Sequence, residues 1–372
     1  MIHSFGGRHR LQRAIARALA VSAVAASPLL FADNNKPVSS GYLTPSATGE
    51  GFHFSHQDWE IACDNTRTCR AAGYYPQDED LKISVLLSRA AGPGTPVLGE
   101  LKIGQYDDDP VVDRLPPEFD LSLQIDGKEV APVRVKNLHA HLSTEAVAGL
   151  LRSLVRSSRI AFVRGDNIWQ LSDRGATAIL LKMDEFQGRI GTPGALVRAG
   201  KQSESKVRPA VAIPVVQAAR LPPAQPGDDT FTTRHGAALL AALRESSKCS
   251  ALSDKWSGTP HLEATRLSNT QMLVSTLCWL GAYNASTASW IVQTKPPFQP
   301  QLVNDQASDV SAGSMSARQK GRGLGDCWSF DDWTWNGSAF VHTHSSTTGM
   351  CRLMEPGGAW SLPVWLTHVD DQ

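Results

Sequence analysis

Two adjacent carboxylates, Asp184 and Glu185, are the first residues of this sequence whose chemistry could support catalysis. Neighbouring carboxyl groups can divide the roles of general acid and general base between them. Both lie at the end of a predicted helix, in a stretch that also holds Gln187, Gly188 and Arg189. A charged helix end beside a glycine cap explains the same residues, and we favour that interpretation over a catalytic pair.

His342 and His344 offer one possible metal site. A single residue separates them, so on a strand both side chains would share a face. A zinc site needs three or four ligands, and no cluster with zinc-like spacing accompanies this pair. We favour an exposed strand rich in polar residues and expect no metal and no other cofactor. The nucleophile motif G-x-S-x-G is absent, and no catalytic residue stands out.

Residues 320–327 place two cations, Lys320 and Arg322, on a glycine-rich loop that superficially resembles a phosphate-binding loop. A dinucleotide-binding loop needs a strand before it, a helix after it and a third glycine at a set spacing. Here the third glycine comes one residue early, and a cysteine and aromatic residues follow. This pattern indicates a tight turn that leads into a disulfide. Lys320 and Arg322 remain candidate binding residues.

Tryptophan is concentrated in the last third of the chain. Eight of the ten tryptophans follow residue 250: Trp256, Trp279, Trp290, Trp328, Trp333, Trp335, Trp360 and Trp365. Trp333 and Trp335 lie two residues apart on a predicted strand, so both rings must face the same side. That side is either core or an exposed aromatic shelf suited to sugar rings or to a protein partner. We name Trp333 and Trp335 as candidate contact residues.

The amino terminus has the composition of an export signal. Residues 1–32 contain four arginines and no acidic residue, followed by an apolar run too short to span a bilayer. We expect cleavage after Ala32, or after Ala26, with residues 33–50 as a flexible polar leader. The 372-residue chain holds 36 basic and 36 acidic residues, so removing the signal leaves 32 basic residues and a net charge of about −4. This balance argues against a nucleic-acid partner.

Six cysteines agree with an oxidising compartment, where disulfides persist. They are Cys63, Cys69, Cys249, Cys278, Cys327 and Cys351. Six cysteines allow 15 pairings. The spacing favours Cys63 with Cys69, Cys249 with Cys278, and Cys327 with Cys351 on either side of a predicted hairpin. A metal site is the alternative, but no C-x-x-C pair is present.

The elements that would position these residues suggest an α+β fold with two domains. In the first domain, residues 51–200, strands are predicted at 83–87, 121–125 and 160–163, with a hairpin turn at Asp126-Gly127. Helical spacing covers residues 147–155 after a Ser143 cap, and a second helix begins after Ser172 and ends at Gly188. We expect a mostly antiparallel sheet, or a sandwich, with one or two packed helices.

A proline-rich stretch separates this region from a second domain. Residues 201–230 contain five prolines and little periodicity, which predicts a semi-stiff linker. The second domain, residues 231–372, has one helix around 238–243 and is otherwise rich in strands, predicted at 271–274, 290–293 and 339–341. Asn336-Gly337 predicts a tight hairpin between a strand at 333–335 and the strand that follows.

Several motifs together resemble a known family. They are residues 58–60, 63–73, 182–185, 187–189, 320–327 and 357–360, combined with the six cysteines. This combination resembles the domain-of-unknown-function 1176 family of exported bacterial proteins and covers nearly the whole chain after the signal. The resemblance implies a bacterial cell-envelope protein but no particular activity. The opening motif is also similar to that of invasion-associated locus B proteins, an analogy that concerns fold more than role.

From the sequence we expect a periplasmic or secreted envelope protein, stabilised by disulfides, with a non-catalytic binding role. Its partner would be an envelope protein or glycan, contacted by Trp333, Trp335, Lys320 and Arg322. We expect no stable membrane insertion once the signal is removed. Two alternatives stay open: a hydrolase acting on envelope glycan or peptide, and an inhibitor of host or competitor hydrolases.

Overall fold

The computed structural model describes residues 51–253, 258, 260–311 and 313–371. These residues all belong to one compact unit. The predicted export signal at 1–32, the leader at 33–50 and Trp256 lie outside the described residues. Within the described residues, no helix is both long and apolar enough to span a bilayer.

Ten strands of the first half form one antiparallel sheet. They are β1 (Phe52–His56), β2 (Trp59–Cys63), β3 (Cys69–Tyr74), β4 (Ile83–Arg89), β5 (Val97–Ile103), β6 (Glu118–Ile125), β7 (Lys128–Lys136), β8 (His139–His141), β9 (Ile160–Arg164) and β10 (Asn167–Leu171). Their order across the sheet is β1-β2-β3-β4-β5-β8-β7-β6-β9-β10. The three predicted strands and the Asp126-Gly127 turn are confirmed, and both turn residues have the positive φ of a type I′ turn.

Two helices pack on this sheet. Helix α1 (Thr144–Leu154) begins after Ser143, whose Oγ accepts the Ala146 amide proton as predicted for an N-cap. Helix α2 (Ala176–Gln187) ends at Gly188, which has a φ of 71°, the left-handed conformation that favours glycine at a helix end. The expectation of helices packed on a mostly antiparallel sheet is confirmed.

The second half is layered as helix, sheet and sheet. Helix α3 (Phe231–Ser246) covers one face of a four-stranded antiparallel sheet formed by β12 (Glu263–Arg266), β13 (Gln271–Leu280), β14 (Ala285–Gln293) and β15 (Gln301–Ala307). The other face of that sheet packs on a five-stranded antiparallel sheet formed by β16 (Asp309–Ser311), β17 (Ser314–Lys320), β18 (Trp328–Trp335), β19 (Phe340–Thr347) and β20 (Leu362–Leu366). These strands include the three predicted from the sequence.

The β18–β19 hairpin is present, but the predicted two-residue turn is wrong. Trp335 pairs with Phe340, which leaves a four-residue loop over residues 336–339. The Asn336 side chain explains the longer loop, because its Oδ1 accepts the amide protons of both Ser338 and Ala339. An asparagine that binds the backbone two residues further on stabilises such a loop.

The proline-rich segment at 201–230 is anchored at several points. It contains strand β11 (Val215–Ala218), which pairs in parallel with β21 (His368–Asp371), and its Val207 side chain is buried. The Arg208 amide donates to the Gln187 carbonyl at the end of α2, and the Ala219 amide donates to the Trp335 carbonyl. The segment therefore contacts both halves of the chain, and its role as a linker between domains stays a prediction.

All three predicted disulfides are confirmed. Cys63 is bonded to Cys69, Cys249 to Cys278, and Cys327 to Cys351. The first joins β2 to β3, the second ties the residues after α3 to β13, and the third links the segments that flank the β18–β19 hairpin. Each crosslink restricts the unfolded chain, an effect worth about 2–4 kcal/mol in stability.

The end of the chain returns to the core of the first sheet. Five residues from this region are buried in that core: Met354, Ala359, Trp360, Leu362 and Val364. The Trp360 Nε1 donates to Ser84 Oγ of β4 at 2.7 Å. Strand β20 is therefore shared, because it pairs with β19 in the second half and packs on β2 in the first.

Candidate binding site

The two candidate tryptophans lie on the inner face of β18. The Trp335 side chain is only 1% exposed and belongs to a core cluster with Leu273, Ile291 and Met315. Trp333 packs against the same cluster, and its ring centroid lies 5.1 Å from that of His342. The prediction that both rings face one side is correct, but Trp335 as a contact residue is wrong, because that side is where β17 and β18 meet the four-stranded sheet.

The opposite face of β18 carries a different aromatic pair, Trp328 and Phe330. Both rings are half-buried and stacked, with centroids 6.4 Å apart and planes inclined by 21°. In the described part of the chain, neither ring belongs to any of the three buried hydrophobic clusters. This strand therefore has an aromatic surface, but on the face opposite to the one that holds Trp333 and Trp335.

A cation lies over each of these rings. Lys320 pairs in register with Trp328 and Arg318 with Phe330 across the β17–β18 ladder. The Lys320 Nζ is 5.3 Å from the Trp328 centroid, and the Arg318 Cζ is 5.2 Å from the Phe330 centroid. These distances are within the range of cation–π attraction. We term Lys320, Trp328, Arg318 and Phe330 the cation–aromatic ladder.

Charged and polar groups border the ladder at its Phe330 end. The Arg318 Nη2 donates to Asp332 Oδ1 at 2.5 Å, and His344 Nδ1 lies 3.4 Å from Asp332 Oδ2. Burial alone would raise the pKa of Asp332, but the hydrogen bonds from His344 and Arg318 lower it below its ordinary value. Asp332 is therefore ionised at neutral pH and neutralises Arg318.

The Lys320 end of the ladder is fixed by hydrogen bonds to the backbone. Asn284 binds both sides of Lys320: its Oδ1 accepts the Lys320 amide proton and its Nδ2 donates to the Lys320 carbonyl. The Trp328 Nε1 donates to the Gly325 carbonyl at 2.9 Å. The strand position of Lys320 and the orientation of the Trp328 ring are thus set before any ligand binds.

Arg322, the remaining candidate, holds its own loop together. Its Nε and Nη2 donate to the two carboxylate oxygens of Asp326 at 2.7 and 2.6 Å. Asp326 also accepts the Leu353 amide proton. Burial alone would raise the pKa of Asp326, but the hydrogen bonds and charge of Arg322 lower it. A bidentate pair of this kind is a structural clamp, and it neutralises the cation.

The glycine-rich loop is a tight turn against a disulfide, as the sequence indicates. A Cβ on Gly321 would lie 2.7 Å from the Cys327 sulfur, so any larger residue there would force the loop away. Strand β18 follows the loop where a dinucleotide site would have a helix. Asp326, Cys327 and Cys351 are close enough to suggest a metal site, but both sulfurs are consumed by the disulfide.

The histidine half-site is not assembled. A register shift between Asp332 and Trp333 separates the two histidines, so His342 pairs with Asp331 at 2.9 Å and His344 approaches Asp332. Asp331 and Asp332 are consecutive residues of one strand and point to opposite faces. His342 and His344 therefore cannot ligate one ion. The shared-face expectation fails because the bulge breaks the two-residue period of the strand.

The carboxylates of Asp184 and Glu185 also diverge. Asp184 is fully buried, and its Oδ2 accepts the amide protons of Leu196 and Val197. Glu185 is exposed and forms an ion pair with Lys182. Two groups in such different surroundings, one buried and one exposed, do not act on one substrate. The interpretation of a charged helix end holds for Glu185, whereas Asp184 anchors the loop after α2.

Substitutions at Asp184 should separate a structural role from a catalytic one. Asp184→Ala leaves two part-buried amides without an acceptor and should cost about 2–4 kcal/mol in unfolding free energy. Asp184→Asn keeps an acceptor and should cost less. Burial raises the pKa of Asp184 in the native state, so the carboxyl ionises first in the unfolded chain as pH rises. The unfolding free energy of the wild type therefore falls relative to that of Asp184→Asn, whose amide does not titrate. The cost of Asn should thus be smaller at about pH 7 than at about pH 3.5.

Urea denaturation at both pH values measures these costs. Glu185→Ala is the matched control and should stay within about 0.5 kcal/mol of the wild type, because an exposed ion pair contributes little. Equal costs for Asp184→Ala and Glu185→Ala would contradict the anchoring role.

Fold and surface together define a class: a disulfide-stabilised α+β protein of antiparallel sheets that presents a cation–aromatic ladder. Within that class, the chain belongs to the family described as protein of unknown function DUF1176, whose model matches residues 53–367. It is also similar to the uncharacterized protein YpfG of Escherichia coli strain K12, with 25% identity over 338 residues, 84% of this chain and 92% of the relative. No solved structure matches the chain. The resemblance of the combined motifs to the DUF1176 family is therefore confirmed, and the similarity of the opening motif to invasion-associated locus B proteins stays a prediction.

Proposed function

We propose that this protein is an exported, non-catalytic binding protein of the bacterial envelope and that the cation–aromatic ladder contacts an envelope glycan. The carrying observation is the partly exposed, stacked pair Trp328 and Phe330, which lies outside the buried clusters of the described residues. Aromatic faces offer apolar contact area, and the polar groups beside them can bind hydroxyls.

Export is supported by two independent features. The three disulfides require an oxidising compartment to form and persist. Residues 1–32 have the basic and apolar regions of a cleaved signal sequence. A periplasmic or secreted location therefore fits both the folded part and the amino terminus of the chain.

The alternation of rings and charges favours a glycan over a protein partner. The cores of protein–protein interfaces are depleted in charged residues. On this surface Lys320 lies over Trp328 and Arg318 over Phe330, with Asp332 beside them. A sugar ring presents apolar C–H groups on its face and hydroxyls at its edge. The aromatic rings of this surface suit the C–H groups, and the charged groups beside them suit the hydroxyls. The hydrolase alternative is weakened because Asp184 and Glu185 do not converge.

Co-sedimentation with purified, protein-free sacculi tests this proposal. The mature protein should bind the insoluble wall glycan, and the double variant Trp328→Ala, Phe330→Ala should bind between about fivefold and about 150-fold more weakly, since loss of two aromatic contacts removes about 1–3 kcal/mol. Binding is measured as the bound fraction against sacculus concentration, after circular dichroism has shown that each variant is folded.

Ile168→Ala serves as the control, because it removes a 39%-exposed apolar side chain from the edge strand of the first sheet. That variant should bind like the wild type. If neither the wild type nor the double variant sediments with sacculi, the glycan is excluded as the ligand. Capture of an envelope protein that requires Trp328 and Phe330 would then show that the partner is a protein.

A further inference from the structure

We infer that Lys320 makes the ladder selective for wall glycans that carry carboxylates, on their sugars or on the peptides attached to them, over neutral ones. This inference rests on the proposed function and names the class of ligand. It depends on the distribution of charge along the ladder and on the way the fold positions Lys320.

The other cations beside the ladder are already neutralised. Arg318 is paired with Asp332, and Arg322 forms two hydrogen bonds with Asp326. Within the described part of the chain, Lys320 forms no ion pair, and its ammonium group approaches only the ring of Trp328. The surface therefore offers one uncompensated positive charge, at the Trp328 end.

That charge lies where a stacked sugar would present its substituents. Asn284 fixes the Lys320 backbone through two hydrogen bonds, of 2.8 and 2.9 Å. The Trp328 ring beneath the ammonium group is oriented by its bond to Gly325. An anion attached to a sugar on Trp328 would thus meet a cation whose position is largely set, which reduces the entropic cost of binding.

The chemistry of the site favours a carboxylate over a phosphate. Phosphate sites commonly supply forked guanidinium groups or several backbone amides, which satisfy three oxygens at once. Both guanidinium groups near the ladder are occupied by aspartates. A single ammonium group matches a single negative charge, and the Asp332 carboxylate would repel a doubly charged group brought onto the same strand face.

Sacculi whose carboxylates have been amidated provide the test, with sacculi treated without the coupling reagent as the matched ligand. The mature protein should bind amidated sacculi about fivefold more weakly, the loss of one partly exposed charge pair of about 1 kcal/mol. Lys320→Met should bind untreated sacculi about fivefold more weakly and lose the preference, while Lys320→Arg retains it. Salt should weaken wild-type binding and have little effect on Lys320→Met.

Lys128→Met, at the exposed start of β7 in the first sheet, removes the same charge away from the ladder and should behave like the wild type. Equal binding to amidated and untreated sacculi, still dependent on Trp328 and Phe330, would overturn the selectivity and leave the proposed function standing. An equal loss in Lys128→Met and Lys320→Met would overturn it as well. Absence of binding to both kinds of sacculi would overturn the proposed function itself.

Discussion

Expressed without the rest of the chain, residues 51–230 should fail to fold cooperatively. The sequence places a domain boundary and a linker here, but the core of the first sheet contains five buried residues from the end of the chain. Trp360 and Leu362 are among them, at 7% and 0% exposure. Loss of each large buried side chain costs about 2–5 kcal/mol, and a whole domain has only about 5–15 kcal/mol of stability.

The fragment would also remove a partner from each of two buried carboxylates. Asp58 is paired with Arg352 at 2.5 Å, and both side chains are less than one-tenth exposed. Glu60 accepts hydrogen bonds from Tyr74 and from the Met350 amide, and only the first of these would survive. Removing one member of a buried ion pair costs about 3–5 kcal/mol, because the remaining charge is buried alone.

Far-ultraviolet circular dichroism during heating would measure this effect, with a chain of residues 33–372 as the reference. The fragment should show no cooperative transition, whereas a version in which residues 346–371 are joined to it by a flexible linker should recover one. A fragment that melts cooperatively near the temperature of the intact protein would show that residues 51–230 fold by themselves and that the C-terminal return is dispensable.

Local features of the fold could be predicted, and the reason is physical. The Ser143 cap, the left-handed Gly188 and the Asp126-Gly127 turn each depend on a few neighbouring residues. Disulfide pairing followed from short separations of 6, 24 and 29 residues. Contacts such as Asp58 with Arg352 join residues 294 positions apart, and no periodicity or spacing specifies them.

The proposed ladder shares strand β18 with Trp333 and Trp335, the tryptophans named from the sequence, but lies on the other face of that strand. Trp333 and Trp335 share a face, yet nothing local says whether that face meets core or solvent. The signal that sequence reasoning missed lies on two neighbouring strands. Aromatic residues occur at every second position of one strand, Trp328 and Phe330, and they pair with cations at every second position of the other, Lys320 and Arg318. Finding it requires β17 as a strand, and its sequence, Ser-Met-Ser-Ala-Arg-Gln-Lys, has too few β-branched and aromatic residues to predict one.

Trp335→Ala should destabilise the protein by about 3–5 kcal/mol, whereas Trp328→Ala should cost less than about 1.5 kcal/mol. The Trp335 ring is 1% exposed between the two sheets of the second half, so its removal leaves a cavity lined by Ile291 and Met315. Trp328 lies outside the buried clusters of the described residues, and its removal takes away contacts with Lys320, Phe330 and the Gly325 carbonyl.

Trp333→Ala should fall between these two values, because Trp333 packs against the same cluster but is only partly buried. Guanidinium denaturation gives the three unfolding free energies, and Trp335→Phe is the control that keeps most of the ring volume and should recover at least half of the loss. The order of the three costs is the critical result, since it reports which face of β18 is core. Equal costs for Trp328→Ala and Trp335→Ala would mean that both faces are covered, and the ladder could not then serve as a binding surface.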